Sequence, residues 1–242
     1  MGSQKIEIEG RNGEPNGVNR EKLGNGRVEV RFADLERDCG RVAELFNQPS
    51  AIGHLSGVAP EETPPGIDAI RYGEKFPQYN VLVATKSKIK EYYRKRPNLI
   101  LLVAEDKEKG IVGTVTVEGP GGLGITWAGV SRLVVDENER RKGIAKNLLR
   151  SAHAVIFTDR GSEGLGCLGS QAGIIRGVEG DDAAEKLFEG EGYRPRHIAK
   201  GNCVSWDNRL GRFVQRDTIN VGAVVRDITR GWSRYFPQPK SS

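Results

Sequence analysis

The sequence predicts an α/β fold of the α+β type, with a mixed, mostly antiparallel sheet flanked by helices. Two apolar segments, residues 99–105 and 111–118, are joined by a polar turn and predict an antiparallel hairpin. A third apolar segment at 125–135 precedes a helical pattern at 143–157. Because 37% of the 242 residues are hydrophobic, the chain can also bury a sizeable core.

The N-terminal part of the chain combines a polar segment with one strand and one helix. Residues 1–26 are rich in Gly, Asn and charge, so we interpret them as a flexible tail. Residues 28–32 alternate apolar and charged side chains, as a half-buried strand does. Asp34 can then cap a helix that carries its apolar residues on one face.

Proline and glycine interrupt the next segment, residues 49–77, where only 67–76 has the composition of a short helix. A basic helix is predicted after it, at about 87–96, with Tyr92 and Tyr93 on one side. Its charges are expected to face water.

The helical pattern at 143–157 places its apolar residues in one stripe, which predicts that this helix covers the sheet. Small residues at 164–170 then predict another strand. Asp181 or Asp182 can cap a further helix.

The last predicted element is a closing hairpin. Its strands are residues 196–200 and 202–206, which turn at Gly201. We therefore expect one domain over residues 27–206, followed by a C-terminal extension at 207–242.

Charge and composition limit the classes of partner. The formal net charge of +5 favours an anionic partner, such as a phosphorylated cofactor, a nucleic acid or an acidic substrate. No apolar run approaches the roughly 18 residues that cross a bilayer, so we expect a cytoplasmic protein without a membrane partner. Cys39, Cys167 and Cys203 form neither an even set nor a close pair, which argues against disulfides and a zinc site.

The most informative segment lies between the third strand and the helix after it. The strand ends in a basic turn of Arg140, Arg141 and Lys142, and Gly143 opens the helix. Free backbone N–H groups and the positive end of a helix dipole stabilise anions, and glycine allows phosphates to approach the backbone. This arrangement is suited to binding a pyrophosphate.

At these residues the chain resembles the GNAT superfamily of acyl-CoA N-acyltransferases. The family motif is Arg/Gln-x-x-Gly-x-Gly/Ala after a central strand, and Arg140, Gly143 and Ala145 match it. A second block, from Asp181 to Tyr193, is similar to the family's Asn-x-x-Ala-x-x-Leu-Tyr-x-x-x-Gly-Phe. The resemblance extends over residues 27–206.

The resemblance implies an N-acetyltransferase that uses acetyl-CoA as cosubstrate. The sheet of this family splays at the acyl-CoA site, and a primary amine attacks the thioester directly. The cofactor-binding residues that it implies are Leu133, Val134, Val135, Arg140, Arg141, Lys142, Gly143, Ile144, Ala145, Lys146 and Asp181. The acceptor, either a small molecule or a protein, stays open, as does the oligomeric state.

Two positions depart from the family pattern. Gly129 stands where many relatives carry a Glu that acts as the general base. Phe188 stands where they carry a Tyr that acts as the general acid. Ser131, on the same strand face as Gly129, is our candidate catalytic residue for contacting the reacting group. Glu118 and His197 are further candidates for the base.

A glycine-rich motif and a basic helix suggest two other functions. The run Gly164 to Gly169 fits Gly-x-Gly-x-x-Gly, but it lacks the preceding strand and following helix that a dinucleotide site needs. The alternative function is a catalytically inactive module that binds CoA or RNA. For RNA, the basic helix with Tyr92 and Tyr93 could form a basic aromatic patch.

Overall fold

A computed structural model describes residues 28–52, 84–120, 127–157, 165–178, 180–207, 209–210 and 212–225. Two predicted features, the tail at 1–26 and the short helix at 67–76, lie outside these residues. The strands are β1 (Val28–Phe32), β2 (Leu99–Asp106), β3 (Gly110–Glu118), β4 (Trp127–Val135), β5 (Gly169–Ile175), β6 (Arg194–Asp207) and β7 (Arg212–Val224).

The helices fall between the strands. They are α1 (Cys39–Phe46), α2 (Pro49–Ile52), α3 (Lys86–Arg94), α4 (Ile144–Phe157) and α5 (Asp181–Gly190), with a 3-10 turn at Glu137–Glu139. No helix in the described part of the chain has the length and apolar character that crossing a membrane requires.

The strands form one seven-stranded sheet in the order β1-β2-β3-β4-β5-β7-β6. Only the pair β4 and β5 is parallel, and the other five pairs are antiparallel. The predicted mixed, mostly antiparallel sheet is therefore confirmed.

Alternating side chains of the sheet enter two hydrophobic cores. In β2, Leu102 and Ala104 pack towards α4, whereas Leu101 and Val103 pack towards α1 and α3. Each fully buried aliphatic side chain of this kind contributes roughly 1.5–3 kcal/mol to folding. The apolar stripe of α4 covers the sheet as its periodicity predicts.

The predicted closing hairpin at 196–206 is wrong. These residues belong to the single long strand β6, which pairs with β7. Gly201 has a φ of +57° and lies where the register of β6 shifts between Ala199 and Cys203. Its N–H donates to the side chain Oδ1 of Asp217 at 2.9 Å. The domain boundary predicted at residue 206 falls inside this hairpin, so β7 is part of the sheet and not of an extension.

Two other local predictions also need correction. The strand expected at 164–170 is β5, which begins only at Gly169. The described part of the Gly-x-Gly-x-x-Gly run, residues 165–169, thus leads into a strand, whereas a dinucleotide site needs a strand before the run and a helix after it. Neither Asp181 nor Asp182 caps α5, because Gly180 is its N-cap residue with a φ of +89°.

Candidate functional site

The strands β4 and β5 pair over only part of their length. Their ladder runs from Trp127 opposite Gly169 to Val130 opposite Ala172. Beyond that point β4 continues to Val135 and β5 to Ile175, but the pairs between them stop. The sheet therefore opens at its only parallel pair among the described strands.

A β-bulge accompanies this opening. On β3 the register shifts at Val115, so that Arg132 and Leu133 of β4 both lie opposite this one residue. Arg132 adopts a φ of +49°, a left-handed conformation that costs roughly 1–2 kcal/mol for an ordinary residue. Bulges bend a strand and redirect its side chains, so the irregularity fits a strand that turns away from its neighbour.

A cavity of about 440 Å³ lies in this opening. The diverging ends of β4 and β5, the start of α4 and one side of α5 form its wall. The sequence-predicted residues in the wall are Ser131, Leu133, Val134, Val135, Arg140, Arg141, Gly143, Ile144, Ala145 and Lys146. Lys142 and Asp181 do not line it.

The basic end of the cavity contains the start of α4. Arg141 and Gly143 have φ values of +64° and +81°, and Gly143 O accepts the first helical hydrogen bond, from Asn147 N at 3.1 Å. The N–H groups of the first helical turn have no partner within the helix. Alternating left-handed residues also make concave N–H surfaces that bind anions.

Arg140 is anchored beside the cavity. Its Nε donates to Val135 O at 3.4 Å, and its Nη2 donates to Ser50 Oγ. Ser50 N also donates to Glu137 Oε1 at 3.1 Å, so α2 is tied to the turn before Arg140. Ser50 lines the cavity, but no sequence pattern pointed to it, because its contacts lie far away along the chain.

Three lysines near the site are engaged in ion pairs. Lys142 Nζ lies 2.8 Å from Glu139 Oε2, and Lys109 pairs with the same carboxylate. Hydrogen bonds from Lys109 and then Lys142 lower the pKa of Glu139. Lys146 lies 3.2 Å from Glu191. Among the described carboxylates, none lies within salt-bridge distance of the Arg140 or Arg141 side chain.

The side of the cavity opposite β4 is mostly apolar. Ala184, Leu187 and Phe188 of α5 form it. Asp181 instead accepts a hydrogen bond from Gly177 N at 2.8 Å, which fixes the loop before the helix. Phe188 is buried, and it places a ring without a hydroxyl at the position of the family tyrosine.

At the other end of the cavity, Ser131 lines the wall and is hydrogen-bonded to Glu118, which lies beside the cavity and does not line it. Ser131 Oγ donates to Glu118 Oε1 at 2.6 Å, and Arg132 Nη1 lies 3.5 Å from the same carboxylate oxygen. Glu118 lies opposite Gly129 in the sheet, and a Cβ at position 129 would lie 3.3 Å from Glu118 Oε2. The Glu118 carboxylate thus occupies the space that a side chain at position 129 would fill.

Two sequence candidates lie elsewhere. His197 is on β6, which is separated from β4 by two strands, and its Nε2 lies 3.1 Å from Asn220 Nδ2. In the basic helix α3, Tyr93 is buried with its hydroxyl against Thr116, and Arg132 lies on the Tyr92 ring. The predicted basic aromatic patch is therefore packed against the sheet and does not present two free rings for stacking.

These features define an acyltransferase fold of the GNAT type, with the sheet open at the parallel pair and a cavity at the start of a helix. Residues 97–195 match the family described as "Acetyltransferase (GNAT) domain". Residues 97–195 therefore carry the sequence features of a GNAT domain. No curated protein sequence matches it significantly.

Solved structures share this fold. An alanine acetyltransferase of a ribosomal protein from Vibrio fischeri has a TM-score of 0.58 at 16% identity, over 83% of this chain and 94% of that one. A spermidine N-acetyltransferase variant from Vibrio cholerae has a TM-score of 0.57 at 14% identity, over 88% and 100%. An N-acetyltransferase from Staphylococcus aureus has a TM-score of 0.55 at 17% identity, over 81% and 98%.

Proposed function

We propose that this chain is an N-acetyltransferase that transfers an acetyl group from acetyl-CoA to a primary amine. One observation carries the proposal. A single cavity connects a basic, N–H-rich helix start at Gly143 to Ser131, whose hydroxyl is bonded to a partly exposed carboxylate. The first end suits a diphosphate and the second end suits an amine.

The residues of this chain fit acetyl-CoA as a ligand. The first-turn N–H groups of α4, with Arg140 and Arg141, would hold the diphosphate. Residues 133–135 lie where β4 has left β5, so that edge offers backbone groups to an amide-containing arm. The apolar side chains of α5 would cover that arm. When bound, acetyl-CoA supplies an activated acyl group as a thioester.

The polar pair at Ser131 would prepare the acceptor. An ammonium group beside Glu118 gives one proton to the carboxylate, while the Ser131 hydroxyl holds that carboxylate in place. The neutral amine then attacks the thioester carbonyl, and a C–N bond forms as the C–S bond breaks. The remaining extra proton on nitrogen passes to the departing thiolate. Fixing both reactants in one cavity supplies much of the acceleration.

Turnover tests the proposal directly. The full chain is incubated with acetyl-CoA and a panel of primary amines, and free CoA is measured with a thiol-reactive chromophore. Cys39, Cys167 and Cys203 are buried, so the protein should add little signal. Mass spectrometry should show one added acetyl group on the amine. CoA binding without turnover on any amine would favour the inactive module instead.

A further inference from the structure

The sheet surface next to Ser131 contains a row of residues that crosses four strands. Glu118 of β3 pairs with Gly129 of β4, Gly129 pairs with Gln171 of β5, and Gln171 pairs with Gly222 of β7. Residues that pair across strands project from the same face. These residues form the floor of this surface, and Gln171 is the only one of them between Glu118 and β7 that has a side chain.

The far end of this floor carries a guanidinium. The side chain of Arg196 extends from β6 across Gly222, where an added Cβ would lie 2.2 Å from Arg196 Nε. The guanidinium carbon lies 4.2 Å from the centre of the Trp127 ring. That ring in turn covers Gly169, because a Cβ there would lie 2.6 Å from it. A glycine thus makes room for each of the two stacked side chains.

Arg196 has no anionic partner within the part of the chain that the structure describes, since no carboxylate there lies within 4 Å of its guanidinium. Its guanidinium stacks on the Trp127 ring, an interaction worth roughly 0.5–1 kcal/mol at exposed sites, which favours this orientation. A stacked guanidinium without a counter-ion among the described residues is suited to binding a planar carboxylate or a phosphate-like group.

The spacing between the two charged groups matches a small zwitterion. The Glu118 carboxylate lies over Gly129 and the Arg196 side chain lies over Gly222, two strand spacings apart, or about 10 Å. The amine nitrogen and the carboxylate oxygens of an α-amino acid are about 3 Å apart. A hydrogen bond of about 3 Å at each end brings the total to about 9 Å.

We propose that the acceptor is a small amine that carries an anionic group close to the amine, of the α-amino acid class. Its ammonium lies at Glu118 and Ser131, and its anionic group lies on Arg196. This inference rests on the proposed function and adds the substrate class to it. A polyamine would bring a second positive charge towards Arg196 and Arg132, which is unfavourable.

The test compares kcat/KM for three kinds of acceptor: α-amino acids, the matching α-amino amides, and spermidine. We expect wild type to prefer the acids over the amides at least about tenfold, because a charged pair exceeds a neutral hydrogen bond. Arg196→Gln should lower kcat/KM for the acids about tenfold or more, through KM, and leave the amides and the Kd of acetyl-CoA unchanged. Arg196→Lys should restore part of the loss.

Lys200→Gln, an exposed charge loss on the same strand, is the matched control and should change none of these values. Equal or better use of amides or spermidine by wild type would overturn the inference alone. An equal loss for all three acceptors in Arg196→Gln would do the same. Absence of turnover with every amine would overturn the proposed function, and this inference with it.

Discussion

The two faces of the sheet hold similar hydrogen-bonded groups in opposite environments. On the α4 face, Tyr193 OH lies 2.8 Å from His153 Nε2 and 2.6 Å from Ser170 Oγ, and all three residues are buried. On the other face, the bond between Ser131 and Glu118 is equally short, but the Glu118 side chain is 43% exposed. The residue types alone do not separate the two clusters.

Burial decides what each cluster can do. It lowers the pKa of His153 to about 3, with a smaller contribution from Arg150, and it raises the pKa of Tyr193. These groups therefore stay neutral near pH 7 and stabilise the core. The Glu118 carboxylate is exposed, so water and ligands can reach it. Solvent access therefore separates the buried network from the exposed pair.

The largest expected effect is on the basic end of the cavity. Arg140→Glu combined with Arg141→Glu replaces two cations facing the cavity by two anions. At about 1 kcal/mol for each exposed charge contact, reversal of two charges costs about 4 kcal/mol. Isothermal titration should therefore show a roughly 1000-fold weaker Kd for CoA, with an unchanged circular dichroism spectrum.

A matched control has the same change in net charge. Lys86→Glu with Lys88→Glu alters the exposed start of α3, and neither residue lines the cavity. Its CoA affinity should stay within about threefold of wild type, because charges beyond about 8–10 Å are screened at physiological salt. Equal losses in both double variants would mean that net charge, and not the helix start, attracts CoA.

The second largest effect is expected on turnover and tests the exposed pair of Ser131 and Glu118. Glu118→Gln keeps an oxygen that can accept from Ser131 but removes the proton acceptor. We expect kcat to fall about 100-fold, within the range for general base catalysis, while the Kd of CoA stays unchanged. Steady-state kinetics with a saturating amine measure this. A variant with wild-type kcat would remove Glu118 from the mechanism.

The third effect is expected on stability and tests the buried cluster of His153, Ser170 and Tyr193. The folded-state pKa of His153, about 3, is below its unfolded value of about 6.5, so the unfolded chain takes up the proton first as pH falls. The free energy of unfolding should be unaffected by His153 above pH 6.5. It should then drop by up to about 1.4 kcal/mol for each pH unit towards pH 3.

Urea unfolding of wild type and His153→Gln at several pH values checks this. The variant should lose some stability at pH 7, because Tyr193 loses its imidazole partner, but its stability should fall less steeply below pH 6.5. Parallel pH dependences in the two proteins would show that the unfolded chain gains no extra proton at His153. CoA affinity at pH 7 should be the same in both.

Local chemistry explains which parts of the sequence prediction succeeded. The start of α4 could be predicted because the basic turn, Gly143 and the apolar stripe are neighbours in the chain. Gly201 misled the prediction, because a positive φ serves a turn or a strand irregularity equally well. Ser50 and the bond from Glu118 to Ser131 needed tertiary contacts or strand register, which local patterns do not specify.

The central claim is that the opening between β4 and β5 binds acyl-CoA, and a crystal structure with CoA tests it most directly. We predict a diphosphate on the N–H groups of residues 141–146, the arm along residues 133–135, and the thiol near Ser131. CoA bound elsewhere, with the space between β4 and β5 closed or empty from Ser131 to Gly143, would contradict the central claim.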